Sequence, residues 1–148
     1  VQKEQDEMIS GKKNKIVVLC SELASIRAIT ESAGRLFDIG WARDTKTFTD
    51  ELEGEPAAVV VDNAVAHSAA IGLLQTVRQS YPRARRVLLT DYCDLAIIVQ
   101  GLHTEAVQKI VYKPVHGPEL LNALGAQIEA MVPVAATLHR SASSRAVV

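Results

Sequence analysis

Three short apolar runs in this 148-residue chain end on, or run directly into, a residue with chemistry to offer: AVVVD on Asp62, VLLT on Thr90 and IVYK on Lys113. Brought to one edge, a carboxylate, a hydroxyl and an ammonium form a set for handling a phosphoryl group. The carboxylate can attack phosphorus, while Thr and Lys hydrogen-bond and neutralise the transferred oxygens. Whether they meet depends on the elements that carry them.

The apolar runs are Ile16 to Leu19, Phe37 to Ala42, Ala57 to Val61, Val87 to Leu89 and Ile110 to Tyr112. Four are continuous and rich in β-branched residues, as strands covered on both faces should be; Phe37, Ile39 and Trp41 alternate as in an edge strand. Between and after them lie stripes of helical spacing: Leu23, Ile26, Thr30, Ala33; Ala70, Leu74, Val77, Tyr81; Leu95, Ile98, Val99, Leu102; and Leu120, Leu121, Leu124, Ile128, Met131. A shorter helix is expected from Thr45 to Leu52, stopped by Gly54 and Pro56. This alternation predicts an α/β fold, a doubly wound (βα)5 unit with a parallel five-stranded sheet. Ligands of such sheets gather beyond the carboxyl ends of the strands. The residues there are Cys20, Ser21 and Glu22, Asp62 and Asn63, Thr90 and Asp91, and Lys113 and Pro114.

Composition sets the outer limits. With 48% apolar and 22% charged residues, the chain can bury a core of ordinary size and reads as one globular domain. Sixteen basic residues against seventeen acidic ones leave no positive field to hold nucleic acid or an anionic membrane. No apolar run approaches the length of a membrane span, and the two cysteines, Cys20 and Cys93, read as reduced thiols of a cytoplasmic protein. Residues 1–14 are polar and read as a leader or linker, 15–131 as the domain, and 132–148, rich in Ala and Ser, as a tail.

The ordered set of VVVD, LLT and YKP, with PEL opening the last helix, resembles the receiver domain of two-component response regulators over about Lys15 to Met131. The resemblance implies the flavodoxin-like strand order 2-1-3-4-5 and a non-enzymatic signalling role. It makes Asp62 the phosphoacceptor, Thr90 the switch hydroxyl and Lys113 the phosphate-pairing lysine, with a cis Lys113–Pro114 bond. Its partners would be a histidine kinase or phosphotransfer protein, or another signalling protein. A homodimer through the fourth helix, fifth strand and fifth helix is a further implication.

The departures are as specific as the matches. Receivers place two acidic residues at the end of the first strand to help bind Mg²⁺, and this chain has Cys20 and Ser21. A thiol is a poor ligand for so hard an ion. Glu22, one position later, is the available replacement, so Asp62 and Glu22 are the candidate metal ligands. Asp91 follows the switch Thr where a small residue is usual, and Ile110 stands where an aromatic is usual. Two readings therefore stand side by side: an atypical receiver phosphorylated on Asp62, and a receiver-fold interaction module independent of phosphorylation. A flavodoxin-like cofactor enzyme lacks its phosphate loop, since CSELAS follows the first strand.

Plainer roles are open for each residue. Asp62 could cap a helix, Lys113 could pair with it structurally, and Thr90 is an ordinary strand-end residue. Cys20 and Cys93 show no metal spacing and read as buried thiols. The four histidines are scattered. Arg83, Arg85 and Arg86 beside Tyr81 suit either an acidic partner or a solvated turn.

Overall fold

The computed structural model describes residues 13–66, 69–91 and 93–125. Residues 1–12 of the proposed leader, the tail and the end of the last predicted helix, Ile128 and Met131 included, lie outside them, as do His67 and His139; Asn14, assigned to the leader, instead opens the first strand. Eleven elements follow in order: β1 (Asn14–Leu19), α1 (Leu23–Ala33), β2 (Phe37–Ala42), α2 (Thr45–Glu51), β3 (Ala58–Asp62), α3 (Asn63–Ala66), α4 (Ala70–Ser80), β4 (Arg85–Thr90), α5 (Leu95–His103), β5 (Lys109–Tyr112) and α6 (Gly117–Ala123). All four strand pairings are parallel, and the sheet order is β2-β1-β3-β4-β5. The predicted fold class and strand order are those observed. The predicted five helices become six among the described residues, because the turn after β3 closes into the four-residue α3.

Alternation along each strand divides the core in two. Val17, Leu19, Val59, Val61 and Leu88 point to one face, under Phe48 of α2 and Ile71, Leu74 and Val77 of α4. Ile16, Val18, Val60, Val87, Leu89 and Val111 point to the other, under Ile29 and Ala33 of α1 and Leu120 and Ala123 of α6. Every residue of β3 is buried. On the edge strand β2, Phe37, Ile39 and Trp41 all pack on the second face, as their alternation requires.

Two helical stripes differ from expectation. On α1 the buried residues are Ser25, Ile29 and Ala33, whereas Leu23 is 68% exposed and Thr30 faces solvent. The short hydroxyl side chain of Ser25 fits inside because it donates to the Glu22 carboxylate at 2.6 Å. On α5 only Ile98 and Gly101 are buried, and Leu95, Val99 and Leu102 stand exposed. Apolar residues surround this helix, so spacing alone cannot say which side packs. Gly101 decides it: a Cβ there would lie 2.6 Å from Val107 Cγ2 and 3.0 Å from Ile71 Cδ1. The missing side chain lets α5 approach α4 and the loop that leads into β5.

The arginine cluster is not a solvated turn throughout. Arg83 is exposed, but Arg86 is 5% exposed and turned inward. Its guanidinium donates to the carbonyls of Ala106 at 3.0 Å, Glu105 at 3.3 Å and Ala84 at 3.4 Å. Backbone acceptors thus stabilise the buried cation, which ties down the α5–β5 loop where Glu105 has a φ of 62°.

Gly101→Ala is expected to lower stability by about 1–2 kcal/mol. Overpacking against the stiff Val107 costs about 1–3 kcal/mol, which outweighs the gain of up to about 1 kcal/mol from helix propensity. A urea midpoint equal to or above that of the parent chain would contradict the close approach of α5.

Candidate functional site

The carboxyl ends of β1, β3, β4 and β5 meet at one edge, and the centre of that edge is Asp62. It ends the wholly buried β3 and is itself 0% exposed. Its Oδ1 accepts the backbone N–H of Ala64 at 2.9 Å, the bond that helps turn the chain into α3. Its Oδ2 lies 2.9 Å from Lys113 Nζ and 3.4 Å from Cys20 Sγ. Lys113 follows β5, two strands away in the sheet order, so its long side chain passes the end of β4 to reach Asp62. The backbone there is pinned by Lys113 N–H donating to the Thr90 carbonyl at 2.8 Å, and the Lys113–Pro114 peptide is cis.

The structure therefore brings Asp62 and Lys113 into direct contact and sets Thr90 on the strand between them. Thr90, 1% exposed, does not offer its hydroxyl to Asp62; it donates to Asp94 Oδ2 at 2.7 Å. Glu22 turns toward the site, with Oε2 3.9 Å from Lys113 Nζ and Oε1 taken by Ser25. Asp91 is exposed and accepts the backbone N–H of Cys93 at 3.0 Å. Sequence reasoning missed Asp94, although an Asp just before an apolar helix is an N-cap signal. It also missed the role of Asn63, whose side chain is a partner of Asp94 and whose Oδ1 is buried with no hydrogen bond.

Charge and burial tune the site. Burial pushes the Cys20 thiol up to about 11 from 9.0, the neighbouring Asp62 carboxylate adding to the effect. Burial works against the charged form of Lys113, but the hydrogen bond and attraction of Asp62, with Glu22 behind, outweigh it and hold the ammonium above its ordinary value. Hydrogen bonds from Thr90 and then Asn63 hold Asp94 below the usual carboxylate range.

These donors do not fit a resident Mg²⁺, which wants about six oxygens in octahedral array. Both Asp62 oxygens are engaged, the thiol beside them is a neutral soft donor, and the half-exposed Glu22 is held by Lys113 and Ser25. Among the described residues no three His, Cys, Asp or Glu side chains converge as a metal set.

The whole architecture is similar to solved receiver domains. The N-terminal signal receiver domain of a two-component response regulator from Bacteroides fragilis matches with a TM-score of 0.67 and 21% identity, over 76% of this chain and 94% of that one. A response regulator from Thermotoga maritima matches at 0.63 and 19%, over 76% and 95%. The signal receiver domain of an HD domain-containing protein from Pseudomonas fluorescens matches at 0.67 and 23%, over 80% and 97%. No protein-family model and no curated protein matches the sequence. The fold is the flavodoxin-like fold of response-regulator receiver domains.

Two outcomes follow from the buried thiol. At pH 8 an alkylating reagent should modify the exposed Cys93 and leave Cys20 untouched until denaturant is added; rapid modification of both would refute the burial. Cys20 and Lys113 both have raised folded values, so their contribution is complete below the unfolded values of 9.0 and 10.5 and is lost as pH rises through the folded ones. The urea midpoint should fall as pH rises from about 9 to about 11, and less steeply in Cys20→Ala. Parallel slopes for the two chains would show that the thiol plays no part.

Proposed function

We propose that the chain is an atypical receiver module of two-component signalling, with Asp62 at the phosphoacceptor position and phosphoryl transfer to it impaired. Such a module signals by contact with a histidine kinase, a phosphotransfer protein or another signalling protein and is not itself an enzyme. One observation carries the reading: a fully buried Asp62 with Lys113 and Cys20 both on Oδ2 and a backbone N–H on Oδ1. A nucleophilic carboxylate needs a free oxygen and a stabilised leaving path, and here the oxygens are committed to an ion pair and two weaker bonds.

The exposed Leu95, Val99 and Leu102 on α5 support the same reading, with the face of α5, β5 and α6 as the surface through which such contact would run. A surface of this kind is costly to leave bare and suits a signalling partner or a second copy of the chain. The convergence of Asp62, Thr90 and Lys113 favours a second reading, in which Asp62 is a working acceptor and transfer is merely slow.

Intact-mass measurement after incubation with a small acyl phosphate, with and without Mg²⁺, tests both. Under conditions that label an ordinary receiver fully, little or no adduct is expected. A full, base-labile gain of one phosphoryl group that disappears in Asp62→Asn would establish the working acceptor instead. Asp62→Asn should also lower stability by about 1–3 kcal/mol, because Lys113 loses its charged partner in a largely buried place. Cys20→Asp combined with Ser21→Asp should raise Mg²⁺ affinity and the extent of labelling; no gain would count against the correspondence of the strand-one positions.

A further inference from the structure

Asp94 occupies the N-cap of α5, where an Asp side chain ordinarily accepts the N–H of the second or third helical residue, here Ala96 or Ile97. It makes no such bond. Its Oδ2 instead accepts the Thr90 hydroxyl at 2.7 Å, with the Asn63 side chain as a further partner. Asp44, at the N-cap of α2, behaves as the rule expects and accepts both the N–H and the hydroxyl of Thr47, at 2.8 and 2.7 Å. One residue type thus stands at two helix starts with two different uses. The helix left uncapped is also loosely held, since Ile98 and Gly101 are its only buried residues.

The Thr90 hydroxyl has one proton, so it can donate to one acceptor at a time. Asp94 and any oxyanion arriving at the Asp62–Lys113 edge compete for it. We propose that Asp94 is a two-position latch. Bonded to Thr90, it withholds the switch hydroxyl and leaves α5 uncapped; displaced from Thr90 by an oxyanion, it turns to cap α5 and tightens the first turn. The site would then communicate with the exposed Leu95 and Val99 through one side chain, a local bond exchange read out by a helix. The hydrogen-bond geometry stands alone, whereas the oxyanion as trigger rests on the receiver reading.

Amide hydrogen exchange of the full chain tests the latch without a phosphoryl donor. Thr90→Val removes the hydroxyl with little change in shape, so Asp94 should cap α5 and slow exchange at Ala96 and Ile97 about fivefold, the usual worth of an N-cap. Asp94→Ser, one bond shorter but a good cap, should slow the same amides with Thr90 in place. In Thr90→Val with Asp94→Ala the slowing should vanish. Unchanged exchange in Thr90→Val, or slowing that survives the loss of Asp94, would overturn the latch. Neither result bears on whether Asp62 accepts phosphoryl groups, so the two readings fail separately.

Discussion

A carboxylate at the end of a fully buried strand must find a cation or give up its charge, and Asp62 finds Lys113. That pair organises the functional edge. It spans from β3 past β4 to β5, so the ends of three parallel strands are held in one place by a contact 2.9 Å long. Thr90 is caught beneath the span, and its carbonyl accepts the Lys113 backbone N–H. Cys20 and Glu22 are drawn in around it from the end of β1, one offering a neutral thiol to Asp62 and the other a second carboxylate to Lys113. Two acids meet one ammonium there, and the protonated Cys20 thiol adds a hydrogen bond to Asp62 without adding charge.

The surroundings of this edge are unevenly held. On one face α1 and α6 close tightly over the sheet, with Ile29, Ala33 and Leu120 in its core. On the other, α5 touches the core through Ile98, the partly buried Ile97 and the bare backbone at Gly101, while Leu95, Val99 and Leu102 face outward. Arg86 holds the loop that follows, its cation stabilised by three carbonyls. This thinly buried helix is therefore bounded by a firm loop at one end and by Asp94 at the other. Motion of such a helix is cheap, because few buried contacts have to be broken.

Much of the fold was legible from the chain. The β-branched runs of β1, β3, β4 and β5 had to be buried on both sides, and the alternation of Phe37, Ile39 and Trp41 marked the edge strand. Strand-end position alone grouped Asp62, Thr90 and Lys113. The misread parts have identifiable reasons. The stripe Leu23, Ile26, Thr30, Ala33 on α1 runs one position off the buried Ser25 and Ile29, and on α5 the inward position is filled by Gly101; Ser25 and Gly101 carry little apolar signal to set the phase. Arg86 was grouped with its exposed neighbour Arg83 because charge adjacent to a turn suggests solvent; the carbonyls that accept from it come mainly from a loop some twenty residues later.

By itself, the sequence determined the order and type of the strands, the parallel sheet and the residues delivered to its functional edge. These follow from local patterning, since burial on both faces and short connections leave few topologies. Only the tertiary structure decided what those residues do to one another. That Cys20 donates to a carboxylate 42 residues away, that Lys113 binds Asp62 rather than solvent, and that Asp94 takes the Thr90 hydroxyl rather than capping its own helix are choices among competing partners. Hydrogen bonds are settled by distances of a few tenths of an ångström, and such distances exist only once the strands and helices are packed.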